Sequence, residues 1–166
     1  MKDKEIIIRV KSYDSIEELT EQDRHLVECA KEATRNSLAT YSKFHVGAAI
    51  LMDNGEIVSG ANQENAAYPS GTCAERTACY YASARYPSVP MRKIAVAAYT
   101  EAGKPVNLEW DEYFQAAPIS PCGACRQALL EYEHLYGPIE VILYGKDEIL
   151  IFPSVSSLLP LSFTEF

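Results

Sequence analysis

The stretch KIAVAAYT, residues 93–100, is apolar almost without interruption. Strict alternation would mark a strand with one wet face, whereas a continuous run of this length marks one covered on both faces. Such a strand needs helices above and below it, and the flanking sequence supplies them. Upstream, residues 72–86 (TCAERTACYYASARY) read as a helix with Thr72 as its cap, stopped by PSVP. Downstream, CGACRQALLEYEHLY (122–136) reads as a second strong helix, closed by Gly137 and Pro138. IEVILYG (139–145) and EILIFP (148–153) follow as short strands.

Working further out, Leu26, Cys29, Ala30, Ala33, Ser37 and Leu38 recur at helical spacing through residues 20–38, and Thr20 with Asp23 resembles a capping box. HVGAAILM (45–52) and EIVSGAN (56–62) read as two strands joined through Asn54 and Gly55, a hairpin dipeptide. EIIIRV (5–10) reads as either a short strand or a tethered arm. The link over 101–119 contains Pro105 and Pro118, and its LEWDEYFQ core suits a short helical turn. Helix, two strands, helix, strand, helix and two strands fit a three-layer α/β/α fold with a mixed sheet of about five strands. At 166 residues the chain suits one domain, 1–166, with an extended N-terminal arm over 1–19.

The composition narrows the partners. With 48% apolar and 23% charged residues, the chain has the balance of a globular protein. Its formal charge of -8 disfavours nucleic acid, which wants a basic stripe, and suits a small uncharged or cationic substrate. No apolar run approaches a membrane span, and the N-terminus lacks the apolar core and cleavage site of a secretory signal. The cytoplasm is the expected compartment. Thiols stay reduced there, so Cys29, Cys73, Cys79, Cys122 and Cys125 need a purpose other than disulfides.

Three of them have one. Cys122 and Cys125, three apart at a helix start, share a face where unpaired amides and the helix dipole favour thiolate. Cys73 opens the other helix under the same conditions. Three thiolates from two helix starts can meet on one zinc ion. A redox pair would use Cys122 and Cys125 but leave Cys73 idle. Cys29 and Cys79, among apolar neighbours within helices, read as small buried hydrophobes. Structural zinc sites close with four protein ligands, and catalytic ones stop at three and admit water. His25 lies in a polar register and His134 is three turns past Cys125. Only His45 could close the site, and it also reads as a partly covered strand histidine. With three ligands, the bound water becomes a nucleophile near neutral pH. Arg76, one turn past Cys73, is placed to donate to the thiolates and temper their charge, unless it merely faces solvent. Glu75, two residues after Cys73, can reach the water and move protons without binding the metal. Zinc deaminases pair H-x-E with P-C-x-x-C, and here C-x-E pairs with P-C-x-x-C.

The stretches YSKFHVGAA (41–49), GANQENAAYPSGTCAER (60–76), PCGACRQ (121–127) and LLPLSF (158–163) together resemble the small, homotetrameric cytidine deaminases. The resemblance implies one Zn2+ per chain on Cys73, Cys122 and Cys125, with Glu75 as proton shuttle. It further implies that Asn62 and Glu64 hold the ribose hydroxyls and that Phe44 packs against the pyrimidine. Backbone groups around Thr72, Ala74 and Ser120 would face the base edge, and Tyr68 and Phe163 would build a site shared between subunits. Without the resemblance, Asn62 reads equally as a loop closure and Phe44 as core. The implied reaction is hydrolytic deamination of cytidine and 2'-deoxycytidine to the uridine products and ammonia, as in pyrimidine salvage. Three alternatives share some of these residues. LLPLSF leaves room for a deaminase of a modified nucleoside such as blasticidin S, whereas CAER, with arginine after the glutamate, leans toward the cytidine branch. A non-catalytic zinc module would leave Glu75 idle, and a nucleic-acid editor would contend with the acidic balance. The link over 101–119 and the N-terminal arm are longer than the family's compact form.

Overall fold

A computed structural model describes residues 1–103 and 107–164; Pro105 of the link lies outside them. Three α-helices and six strands run in the order β1 (Lys11–Tyr13), α1 (Glu21–Ala33), β2 (Phe44–Met52), β3 (Ile57–Ala61), α2 (Ala74–Arg85), β4 (Met91–Thr100), α3 (Gly123–Tyr136), β5 (Glu140–Tyr144) and β6 (Ile149–Phe152). The strands form one mixed sheet in the order β1-β6-β5-β4-β2-β3. Only β4 and β5 pair in parallel, Ile94 beside Val141 and Val96 beside Leu143. Parallel neighbours need a crossover, and α3 provides it.

β4 lies inside the sheet, as its apolar run requires, and its side chains alternate between two cores. Ile94, Val96 and Ala98 face α2 and α3, joined by Ala48, Ile50, Ala78, Cys79, Leu129 and Leu143. Ala95, Ala97 and Tyr99 face α1, joined by Leu26, Val27, Ala30, Ala49, Leu51 and Ile142. The expected α/β/α layering is therefore present. Period-two strands between two period-3.6 helical layers bury both faces, which is what sustains the continuous apolar run.

Several expected boundaries move. β1 occupies Lys11–Tyr13, not residues 5–10, and its pairing with β6 adds a sixth strand. α1 ends at Ala33 and tightens into a 3-10 turn over Thr34–Asn36, short of the expected Leu38, which is exposed. Its cap is as read, with Thr20 accepting from the Asp23 amide at 3.2 Å. Asn54 keeps a negative φ and only Gly55 (φ 85°) is left-handed, so the turn is a longer loop, not a two-residue hairpin. Cys79 is buried as expected, but Cys29 is only half-buried, its sulfur 3.9 Å from His25 Nε2.

The link folds as expected into a 3-10 turn at Trp110–Tyr113 and docks against α1. Phe114 is fully buried, and Lys31 Nζ lies 5.4 Å from its ring and 5.3 Å from that of Tyr144. Burial opposes the Lys31 charge, but hydrogen bonds to Asp111 and Glu28 outweigh it and raise the pKa. A buried cation held by two carboxylates and aromatic faces is well compensated.

Candidate active site

β3 and β4 end at the same edge of the sheet, and the connections after them lead into α2 and α3. Both helix starts therefore lie at the carboxyl edge, the usual ligand-binding side of an open α/β sheet. The cap of α2 is Cys73, not Thr72 as expected, and the cap of α3 is Cys122. Neither side chain caps its own helix, so both thiols are free to turn outward. Thr72 instead exchanges both backbone hydrogen bonds with Gln63, at 2.8 and 2.9 Å, tying the loop that enters α2. Gly60 sets how close α2 approaches β3. A Cβ there would lie 2.5 Å from the Ala78 nitrogen and 2.9 Å from the Ala74 oxygen.

The sulfurs of Cys73 and Cys122 are 3.8 Å apart, and those of Cys122 and Cys125 are 3.5 Å apart. All three lie within 4.8 Å of one another, and no fourth ligand-type side chain joins them among the described residues. Bonds of about 2.3 Å to a tetrahedral zinc give sulfur–sulfur edges of about 3.8 Å, so the trio fits that ion in size and chemistry. His45 is elsewhere. It stacks on Tyr99 with ring centroids 4.5 Å apart, and its Nδ1 hydrogen-bonds with the Ser37 hydroxyl.

Electrostatics set the thiols apart. A hydrogen bond with Cys125, opposed by burial and reinforced by Arg76 and Cys122, pulls the Cys73 pKa down to about 5. Cys125 is pushed up, first by Cys73 and then by burial. Three thiols this close cannot all ionise without a cation to offset their charge, and a dication between them removes that conflict. Arg76 Nη2 is 4.0 Å from the Cys73 sulfur, while its Nε is buried without a partner among the described residues. Glu75 is the second residue of α2 and only 4% exposed. Burial raises its carboxyl pKa to about 7.

Asn62, Glu64, Tyr68 and Thr72 line a cleft of about 320 Å3 with Cys73 and Arg76. Gln63, Asn65, Pro69 and Gly71 complete that lining. Sequence reasoning did not single these four out, although all lie within the loop GANQENAAYPSG. Glu64 Oε2 accepts from the Tyr41 and Ser42 amides at 2.9 and 3.2 Å. A hydrogen bond from the Ser42 side chain, ahead of those amides, holds its pKa below the usual carboxylate value. Asn62 clasps the start of β2: its Oδ1 accepts from the Val46 amide at 2.8 Å and its Nδ2 donates to the Phe44 carbonyl at 2.9 Å. Phe44, Ala74, Ser120 and Phe163 do not line this cleft. Phe44 packs against the α2–α3 core, Ala74 is buried and Ser120 is exposed. Phe163 is exposed, its carbonyl accepting from Gln127 Nε2 at 2.8 Å, and Tyr68 is exposed too. Arg126, also unsingled by the sequence reading, donates to the Pro121 and Leu158 carbonyls, both at 2.7 Å, and so ties the Cys122 loop to the chain's end.

Three convergent thiols beside a buried acid and a cleft define a metal centre of the hydrolytic kind. The family model described as "Cytidine and deoxycytidylate deaminase zinc-binding region" matches residues 20–136. A cytidine deaminase of Sporosarcina psychrophila is 35% identical over 84% of this chain and 90% of its own length. The blasticidin-S deaminase of Bacillus cereus is 30% identical over 88% of this chain and 95% of its own. The crystal structure of cytidine deaminase from Burkholderia pseudomallei superposes with a TM-score of 0.69 at 36% identity, covering 87% of this chain and all of that one. The chain belongs to the cytidine and deoxycytidylate deaminase family.

Proposed function

We propose that the chain hydrolytically deaminates cytidine and 2'-deoxycytidine, with one zinc ion per chain held by Cys73, Cys122 and Cys125. The observation that carries this reading is the buried Glu75 beside a trio of thiols that finds no fourth protein ligand among the described residues. Zinc in that place supplies an activated water near neutral pH. Glu75 would take a proton from that water and give it to the ring nitrogen N3 as the water oxygen bonds to C4. It would then take the proton of the new C4 hydroxyl and give it to the amino nitrogen as the C4–N bond breaks and ammonia leaves. Arg76 steadies the thiolates through its hydrogen bond to Cys73.

Glu64 Oε1 accepts from a ribose hydroxyl, its other oxygen already fixed by two amides. Asn62 holds the strand ends beside it and turns its remaining N–H to the sugar, and Phe44 packs against the pyrimidine. Backbone groups around Thr72, Ala74 and Ser120 face the base edge, with the Thr72 N–H already given to Gln63. Among the described residues the cleft lining includes a carboxylate and no lysine, and its one arginine faces Cys73. That charge pattern favours a nucleoside over a nucleotide. Exposed Tyr68 and Phe163 support a homotetramer whose subunits complete one another's sites. Purified protein assayed by ultraviolet absorbance against cytidine, deoxycytidine, deoxycytidylate, adenosine and blasticidin S tests the reading, with zinc quantified on the same sample. Turnover of the cytosine nucleosides at one zinc per chain is expected. Turnover of blasticidin S alone assigns the site to that substrate instead.

A further inference from the structure

The N-terminal arm carries its own symmetry. Residues 1–10 are exposed along their whole length, and Ile6, Ile7, Ile8 and Val10 put bare aliphatic surface into solvent, Ile7 at 72%. The arm leads into β1, which stands at the edge of the sheet and pairs only with β6 among the described residues. An edge strand preceded by a β-branched run is a template for pairing with another chain. Asp3, Glu5, Arg9 and Lys11 form no ion pair among the described residues.

The order of those side chains says what the arm fits. Laid antiparallel against a second copy with Ile7 opposite Ile7, the segment sets Glu5 opposite Arg9 and Asp3 opposite Lys11. Both pairs recur on the other side of the axis. Ile6 meets Ile8 on the opposite face, flanked by Val10. A shift of the register by one residue breaks this match, because a period of two carries every side chain to the wrong neighbour. Self-complementarity of this kind is what a two-fold interface demands of a single surface. We propose that residues 3–11 of two copies pair as antiparallel strands about an axis at Ile7, joining two sheets edge to edge. The inference stands independently of the substrate.

Oxidative cross-linking of the zinc-loaded, full-length chain tests it, with the unsubstituted protein as control for the native thiols. Cysteine placed at the axis (Ile7→Cys) faces its own copy and should form an intermolecular disulfide roughly tenfold faster than Val10→Cys, whose position opposes Lys4. Equal rates, or a disulfide from position 7 to a cysteine in the body of the other copy, would overturn arm–arm pairing. Charge exchange gives a second reading that leaves the isoleucines intact. Glu5→Arg and Arg9→Glu should each weaken the association seen by sedimentation, and the double variant should restore it. Single variants that associate as the parent does, or a double variant as weak as either single one, would overturn the register.

Discussion

Among the described residues Arg76 has a buried Nε without a partner, and its Nη2 lies 4.0 Å from the Cys73 sulfur, which sets the guanidinium beside the thiol trio. Arg76→Ala should weaken zinc binding by about 10–100-fold, as loss of such a supporting donor does elsewhere, measured by competition with a chromogenic chelator. Glu64 is braced differently, by amides more than twenty residues away in sequence, Tyr41 and Ser42. Glu64→Ala should raise KM for cytidine by about tenfold, the worth of one hydrogen bond to a charged group, while speeding amide exchange at Tyr41 and Ser42. Unchanged exchange at those two amides would remove the bracing role. The thiols and Glu75 were legible because helix-start chemistry is local: a cap, a dipole and a spacing of three suffice. The clasp of Asn62 on Phe44 and Val46 was not, because those residues lie 18 and 16 positions away and meet only once β2 and β3 pair.

Helices α2 and α3 must arrive at the sheet edge at a fixed depth for the thiols to converge. Gly60 fixes that depth for α2, since a Cβ would press on helix backbone that cannot rotate away. Gly60→Ala should cost about 1–3 kcal/mol and also lower zinc affinity, read as a smaller zinc-dependent rise in melting temperature. A variant that loses stability but binds zinc as the parent does would show that α2 can shift without moving Cys73. Local pattern found α1 to α3 and β2 to β6, because each buries a continuous face, but not the 3-10 turns at Ile16–Glu18, Tyr68–Ser70 and Val155–Leu158. β1 escaped it: Lys11 and Ser12 are exposed, and the strand is held by backbone pairing with Ile151 and Leu150. Glu133 is a second case: it is buried and accepts from the amides of Ile139, Val155 and Ser156 at 2.7–2.9 Å. Its partners come from two later segments, so no local pattern announces it.

Across the whole molecule, one sheet edge gathers what the chemistry needs: two thiol-bearing helix starts, a buried carboxylate, and a cleft lined by a braced acid. Family membership was legible from four short motifs, whereas the route of the link was not. That segment is placed by Phe114 in the core and by the Lys31 cation against aromatic rings, contacts that span more than eighty residues. The central claim is that Glu75 moves protons at a three-thiolate zinc centre open to water. The most direct test compares cytidine turnover by the parent chain and by Glu75→Gln at equal zinc content. A fall in kcat of roughly a thousandfold or more is expected, with zinc and fold retained. A zinc-loaded Glu75→Gln protein that turns over cytidine at the parental rate would contradict it.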